Sequence, residues 1–298
     1  MCTGKLLGQL LVLFLSAQTS YTKINDKKLL RVVGGQSASY KKYPYVAKLD
    51  ILTIIGDDAY RVPVCTCSIL TPTWTLTSSH CYVNLNGQPN ATLMVWYGST
   101  LPMVKNEKLS KVLKFIIHPS YKLLGDDDNV YSLENDIALL KTDPIILPKY
   151  GRVSSVDYMS LVGFKAVIAG FGITNYTKLS EMFFAHTLEL NMPLQTLNVL
   201  IRRCDSDAKI YPGLCLASKC RESVGICAGD SGGPLIYNSR IVGLSSMGAE
   251  EDCNNLTEDR FKPHYVGFIT AVSPFTEWIG KVINENAKVS AHPDGERV

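Results

Sequence analysis

The sequence predicts an all-β protein that ends in a single helix. Short apolar runs alternate with Gly, Pro, Asn and Asp through most of the 298 residues, a pattern typical of strands joined by turns. The runs lie at residues 45–51, 92–97, 112–117, 166–173, 235–237 and 241–245. Residues 274–284 differ, because their apolar side chains recur at helical spacing and Pro274 suits the first position of a helix.

The composition narrows the class of protein. Hydrophobic residues make up 46% of the chain, enough for the core of one large β-rich domain or two small ones. The formal net charge is only +3, so neither nucleic acid nor an anionic membrane surface is expected as a partner.

Residues 1–20 are predicted to be a secretory signal peptide. Lys5 precedes an apolar run over residues 6–17, and small residues follow where cleavage would occur. The run is shorter than the ~20 apolar residues that a membrane span needs. The alternative is a buried N-terminal helix. No later run is long enough to span a membrane, so a secreted, extracellular protein is expected.

The cysteines agree with secretion. Cys2 lies within the predicted signal, and eight cysteines remain, an even number typical of disulfides: Cys65, Cys67, Cys81, Cys204, Cys215, Cys220, Cys227 and Cys253. Three sequons, at Asn90, Asn175 and Asn255, predict glycans on surface loops.

The most informative stretch is Gly-Asp-Ser-Gly-Gly-Pro-Leu at residues 229–235. Its glycines allow a sharp turn with Ser231 at the tip, and such a turn can aim successive N–H groups at one oxyanion. A serine hydroxyl is a weak nucleophile without a neighbouring base. The stretch therefore predicts a histidine nearby and a group that orients it.

This stretch resembles the nucleophile motif of the trypsin/chymotrypsin family of serine proteases. Residues 77–81, Thr-Ser-Ser-His-Cys, resemble the family's Thr-Ala-Ala-His-Cys, and residues 135–140, Asn-Asp-Ile-Ala-Leu-Leu, match the family's segment without change. The resemblance covers about residues 32–283. It implies a serine endopeptidase with two packed six-stranded antiparallel β-barrels and a C-terminal helix, and an insect-type digestive or other secreted enzyme is compatible with it.

The resemblance also implies the catalytic roles. Ser231 would be the nucleophile, His80 the general base and then acid, and Asp136 the group that orients His80. The N–H groups of Gly229 and Ser231 would form the oxyanion hole.

A zymogen junction is implied at Arg31-Val32-Val33-Gly34-Gly35, after a polar propeptide of residues 21–31. Cleavage after Arg31 would free the amine of Val32 to pair with Asp230. Breaking such a buried pair typically costs ~3–5 kcal/mol, so a well-formed oxyanion turn is expected only after the cut. The alternative is an ordinary basic linker. The protease domain is expected over residues 32–283, with a polar tail over residues 284–298.

The family's disulfides imply three pairs. They are Cys65 with Cys81, Cys204 with Cys215, and Cys227 with Cys253. Cys67 and Cys220 lie outside the family's pattern and are paired only by elimination.

The resemblance places a substrate pocket at Gly225, Ile226, Ser246, Met247, Gly248 and Gly267. Trypsin-like enzymes carry an aspartate where this chain has Gly225, so an open, uncharged pocket is expected to take large apolar or aromatic residues. Residues 246–248 would pair with the substrate backbone as a strand does. The alternative is cleavage after Arg or Lys, if acidic residues reach the pocket; the candidates are Glu222, Glu250, Glu251 and Asp252.

Three further sites have rival interpretations. A zinc site formed by Cys65, Cys67, His80 and Cys81 is disfavoured by oxidation during secretion. Residues 126–128, three aspartates, are interpreted as a solvated loop rather than as a source of the triad aspartate or a calcium site. His118 is interpreted as structural.

Some residues depart from the family pattern. Ser78 and Ser79 replace alanines, Thr66 and Cys67 replace glycines, and Phe171 replaces a tryptophan. None of these changes removes a catalytic group. We expect a monomer that needs no cofactor or metal, with protein or peptide substrates, an activating protease and protein inhibitors as partners. The competing hypothesis is a catalytically weak homologue that acts as a binding protein.

Overall fold

The computed structural model describes residues 35–86, 88–99, 108–125, 130–172, 193–205, 210–218, 225–248 and 265–290. Within these ranges the chain is mostly strand. The strands are β1 (Gln36–Ser37), β2 (Val46–Ile55), β3 (Asp58–Thr71), β4 (Trp74–Thr77), β5 (Ala91–Tyr97), β6 (Lys108–Ile117), β7 (Lys122–Gly125), β8 (Val130–Glu134), β9 (Ala138–Thr142), β10 (Lys165–Gly170), β11 (Gln195–Arg202), β12 (Ile210–Tyr211), β13 (Gly213–Ala217), β14 (Pro234–Tyr237), β15 (Arg240–Gly248) and β16 (Tyr265–Ala271). Each of the six predicted apolar runs overlaps a strand, although the run at 166–173 continues past the end of β10, and this agreement confirms the all-β prediction.

Two closed antiparallel barrels organise these strands. The first barrel has the order β2-β3-β4-β9-β6-β5. In the second, β11-β10-β14-β15-β16-β13 closes because β13 also pairs with β11, and β1 adds to its edge. The predicted pair of six-stranded barrels is therefore confirmed. A small sheet of β12, β8 and β7 lies beside them.

The cores follow from the period-two pattern of the strands. Along β11, the side chains of Leu197, Val199 and Ile201 are buried, while Asn198 and Arg202 on the other face are exposed. Such alternation buries one face of each strand inside its barrel. One apolar cluster fills the first barrel and extends to buried residues of the second barrel and of the C-terminal segment, and another cluster fills the second barrel.

The chain ends in the predicted helix, with different bounds. A 3₁₀ turn (Ser273–Phe275) leads into helix α1 (Thr276–Ser290). Phe275 and Ile279 are buried in the cluster of the first barrel. The helix runs past residue 284, where the prediction ended it, so the first part of the predicted polar tail is helical. No helix in the described ranges is both long and apolar enough to cross a membrane.

Candidate active site

Asp136 is held at the entry of β9. The preceding Asn135 has a left-handed backbone with φ 54°, a conformation that asparagine tolerates better than most residues. The Asn135 N–H donates to the carbonyl of Tyr211 at 2.7 Å, which ties the end of β8 to β12. Asp136 therefore enters the core completely buried.

His80 lies on a 3₁₀ turn (Ser79–Cys81) directly after β4. The two serines that replace the family's alanines fasten this turn to both barrels. The Ser79 hydroxyl donates to the Ile137 carbonyl at 2.6 Å, and the Ser78 hydroxyl donates to the Ser245 carbonyl at 3.1 Å. Both serines are buried, so these bonds satisfy hydroxyls that would otherwise be costly to bury.

The carboxylate of Asp136 contacts His80 twice. The His80 backbone N–H donates to Asp136 Oδ1 at 2.9 Å, and His80 Nδ1 lies 2.7 Å from Asp136 Oδ2. The hydroxyl of Ser246 donates to the same Oδ2 at 2.5 Å. Burial by itself raises the pKa of Asp136, but the His80 charge and these hydrogen bonds outweigh burial, so the pKa is lowered.

The turn that carries Ser231 is built from two successive β-turns. The Asp230 N–H donates to the Cys227 carbonyl at 3.0 Å, and the Gly233 N–H donates to the Asp230 carbonyl at 2.9 Å. The third residue of each turn has a positive φ, 92° at Gly229 and 75° at Gly232. Positive φ at this position is what a type II turn requires, so both glycines are needed for the backbone alone.

The carbonyl of Ser245 joins the serine turn to the histidine turn. It accepts the Gly232 N–H at 2.7 Å as well as the hydroxyl of Ser78. A Cβ added at Gly232 would overlap Thr77 Oγ1 and reach 3.0 Å from the Ser78 nitrogen. The structure thus packs the turn of Ser231 against the segment that leads into His80.

The comparisons with known proteins decide the family. The family model described as Trypsin matches residues 32–279, most of the chain. The chain belongs to the trypsin family. It is a serine endopeptidase, a hydrolase that acts on proteins, as the sequence resemblance predicted.

Relatives and a solved structure agree with this family. The chain is 26% identical to a trypsin of Phaedon cochleariae over 91% of this chain and 96% of the relative. It is 28% identical to granzyme M of Homo sapiens over 86% and 91% of the two chains. The structure of neuropsin, a serine protease of mouse brain, superimposes with a TM-score of 0.60 at 22% identity, over 84% of this chain and 98% of that one. At that identity the last comparison supports the trypsin-like fold alone.

Asp230 lies in a tight backbone cradle. Its Oδ1 accepts the Gly172 N–H at 2.8 Å, and its Oδ2 accepts the Cys227 N–H at 3.0 Å. A Cβ at Gly170 or Gly172 would overlap the carboxylate. Burial raises the pKa of Asp230 to about 6, against the two backbone hydrogen bonds that lower it. Its predicted partner Val32, with Arg31, lies outside the described residues.

The predicted pocket residues lie on β15, on β16 and just before the serine turn. A Cβ at Gly225 would meet no atom of the described residues within 4 Å, so these residues leave the space beside its backbone open. Gly248 pairs with Gly267, where a Cβ would come within 2.5 Å of Ile226 Cδ1. The buried Ile226 side chain therefore packs against a position that must remain small.

The structure gives the positions of two further residues of the predicted pocket. Ser246, which is predicted to lie in the pocket, donates its hydroxyl proton to Asp136. Met247 lies on β15 opposite Phe268 of β16. The acidic residues proposed as rivals, Glu222 and those at 250–252, lie outside the described residues.

The structure contains two of the predicted disulfides and corrects one pairing. Cys65 is bonded to Cys81, and Cys204 to Cys215. Cys227 is also disulfide-bonded, and its predicted partner Cys253 lies outside the described residues.

Cys67 is a buried free thiol, so its pairing with Cys220 by elimination is wrong. Its Sγ donates to the Ala47 carbonyl at 3.5 Å, and burial raises the pKa of the thiol. Cys220 itself lies outside the described residues. Counting cysteines assumed that each one was oxidised, whereas β3 places Cys67 on the inner face of the first barrel.

The zinc alternative meets a chemical obstacle. The ligand atoms of Cys65, His80 and Cys81 do lie within 4.8 Å of one another. Both sulfurs, however, are joined in the disulfide and carry no thiolate for a metal.

The remaining predictions fall on structural or undescribed residues. His118 packs edge-on against the rings of Phe275 and Trp278, in agreement with a structural role. Asn90 is exposed in a turn, as a glycan acceptor must be. The aspartates at 126–128 and the sequons at Asn175 and Asn255 lie outside the described residues.

Proposed function

We propose that this trypsin-family member is a secreted endopeptidase made as a zymogen, activated by cleavage after Arg31, which cuts after large apolar or aromatic residues. The observation that supports it most directly is the His80–Asp136 pair, at 2.7 Å, packed beside the turn of Ser231. The space that the described residues leave open beside Gly225 supports the specificity.

The proton positions follow from the charge on Asp136. An ionised carboxylate can only accept, so His80 Nδ1 carries a proton and Nε2 has its lone pair free. His80 Nε2 takes the proton of the Ser231 hydroxyl as Oγ attacks the peptide carbonyl carbon. Asp136 then stabilises the imidazolium by its charge and holds the ring in place.

The remaining steps balance the charge and the proton. The carbonyl oxygen becomes an oxyanion that accepts the N–H groups of Gly229 and Ser231. When the C–N bond breaks, His80 gives its proton to the leaving amine and Ser231 carries the acyl group. Water, deprotonated by His80, then attacks the acyl carbon, and Ser231 Oγ leaves with the proton that His80 returns.

The pocket preference follows from missing charge. A cationic side chain needs a counter-charge when it is buried, and Gly225 supplies none. Ile226 and the glycine at 267 leave an apolar wall, which favours Phe or Leu before the scissile bond.

The test uses protein cleaved after Arg31, with Val32 confirmed as the new N-terminus by mass. Two peptides are compared, one with Phe or Leu and one with Arg before the scissile bond, with and without a serine-directed acylating inhibitor. Inhibitable cleavage after Phe or Leu is expected. Inhibitable cleavage after Arg alone would overturn the specificity, and no cleavage of either would favour the binding-protein alternative.

Ser231→Ala tests the nucleophile. Its turnover is expected to fall by several powers of ten, because the variant lacks the hydroxyl that His80 would activate. Ser155→Ala, at an exposed position, is the matched control and should retain full turnover. Equal activity of the two variants would refute the assignment.

The finer points of processing need separate measurements. Secretion and removal of residues 1–20 are checked by N-terminal sequencing of protein from the medium of expressing cells. A glycan on Asn90 would appear as a mass loss after glycosidase treatment that is absent from Asn90→Gln. A monomer is expected in size-exclusion chromatography.

A further inference from the structure

Thr66 is a buried residue of β3 whose polar atoms contact the serine turn, the end of β4 and Phe171. Its N–H donates to the Ser231 carbonyl at 2.8 Å, and its hydroxyl donates to the Gly229 carbonyl at 2.7 Å. Its carbonyl accepts the Thr77 hydroxyl at 3.0 Å. Its Cγ2 methyl lies 3.3 Å from where a Cβ on Gly233 would stand.

The hydroxyl of Thr66 forms a bridge. A hydroxyl has one proton to donate, and here that proton goes to the Gly229 carbonyl. A lone pair of the same oxygen accepts the Phe171 N–H at 3.0 Å. The next residue, Gly172, donates to Asp230. The turn is therefore held to the Phe171–Gly172 segment twice, by Thr66 and by Asp230.

We propose that Thr66 is a positioning residue for the oxyanion hole, which sets the relative place of the Gly229 and Ser231 N–H groups. This inference rests on the proposed function. Thr66 donates hydrogen bonds to the carbonyls of Gly229 and Ser231, the two residues whose N–H groups would bind the oxyanion. The family's glycine at this position has the backbone N–H but no hydroxyl. The hydrogen bond from the side chain to the Gly229 carbonyl therefore depends on the threonine of this chain.

The decisive variant is Thr66→Val, which removes the hydroxyl at nearly constant volume and keeps the backbone N–H. With the activated protein and a peptide substrate, kcat and kcat/KM are expected to fall together by roughly 10–100-fold, because a displaced donor costs less than the ~10²–10³-fold of a deleted one. KM should change little. Affinity for a peptide aldehyde, which forms an oxyanion on Ser231, should fall by a similar factor.

Rescue and control variants separate positioning from packing. Thr66→Ser keeps the hydroxyl and should restore kcat to within a few-fold of the native value. Thr75→Val is the matched control, because the Thr75 hydroxyl is buried on β4 without a hydrogen-bond partner among the described residues. It should leave kcat unchanged. Thr66→Ala provides the same deletion if the valine variant does not fold.

The outcomes decide the proposal. Native kcat in Thr66→Val, a change in KM alone, or no rescue by serine would each overturn it. If the native protein shows no peptidase activity, the proposed function fails, and amide hydrogen exchange at residues 228–232 decides instead. Exchange at least tenfold faster in Thr66→Val than in Thr75→Val would then support the positioning role, and equal exchange would overturn it.

Discussion

Asp136 and Asp230 are both buried aspartates, yet their pKa values move in opposite directions. The pKa of Asp136 is lowered, and that of Asp230 is raised to about 6. Both residues are almost completely shielded from solvent, with exposed fractions of 0% for Asp136 and 1% for Asp230. Burial therefore does not account for the difference.

The partners account for it. Asp136 accepts hydrogen bonds from the His80 ring, the His80 N–H and the Ser246 hydroxyl, and His80 can itself carry a positive charge. Asp230 accepts two backbone N–H groups, which are dipoles and not charges. The partners present in the fold are therefore enough to stabilise the ionised form of Asp136. The ionised form of Asp230 needs a further positive charge for the same stabilisation. The proposed amine of Val32 is such a cation.

The largest expected effect comes from Asp136→Asn. An amide at this position holds the wrong His80 tautomer, so kcat should fall by roughly 10⁴-fold, a loss typical of Ser–His–Asp enzymes. The measurement is peptide hydrolysis near pH 8 by the activated protein. Asp143→Asn, at an exposed position, should leave kcat unchanged. A loss of less than tenfold in Asp136→Asn would contradict the role of Asp136.

The next effect concerns Asp230 in the uncleaved chain. Because its folded pKa of about 6 exceeds its ordinary value of 3.8, the folded state binds more protons between these values. The free energy of unfolding should therefore fall as pH rises through this window, by up to about 3 kcal/mol.

Urea unfolding of the uncleaved protein from pH 4 to pH 7.5, with Asp230→Asn as reference, checks this prediction. As pH rises, the unfolding free energy of the native protein should fall relative to that of Asp230→Asn. Cleavage after Arg31 should remove that trend, because a paired amine favours the ionised carboxylate. An identical pH dependence in Asp230→Asn and the native chain would contradict the burial of the ionised group.

The smallest effect sharpens the Asp136 side of the comparison. Ser246→Ala removes the 2.5 Å hydrogen bond to Asp136 and should lower the free energy of unfolding by ~1.5–3 kcal/mol, the usual range for a bond to a charged group. The neighbouring Ser245→Ala is the control, since the Ser245 hydroxyl is buried without a partner in the described part of the chain. Urea unfolding should show the larger loss in Ser246→Ala.

Much of the fold could be predicted because it depends on local pattern. The apolar runs lie on strands, and the spacing of Phe275 and Ile279 indicated the helix. The end of α1 was missed because the residues past Asn284 are mostly polar, and Ala287 and Val289 alone do not extend the apolar pattern of the helix. The pairing of Cys67 was wrong because a disulfide forms only where two sulfur atoms lie close together. The side chain of Cys67 on β3 is instead buried in the apolar core as a free thiol.

The sequence predicted which residues form the candidate site, but it did not predict which hydrogen bonds hold them in place. Motifs identified His80, Asp136 and Ser231, yet nothing local indicated that Ser246 donates to Asp136 or that Thr66 bridges Gly229 and Phe171. The hydroxyls at Ser78, Ser79 and Thr66, where the family has alanine or glycine, were the available signal. Their partners lie far away in sequence.

The sequence by itself determined the strand-rich class, the family and the catalytic candidates, because periodicity and short motifs are local properties of the chain. Only the tertiary structure decided which carbonyls the extra hydroxyls reach, that Cys67 stays reduced, and that two buried aspartates differ in pKa. These properties arise where segments distant in sequence meet in a buried site, since each buried polar group there depends on the particular partner it finds.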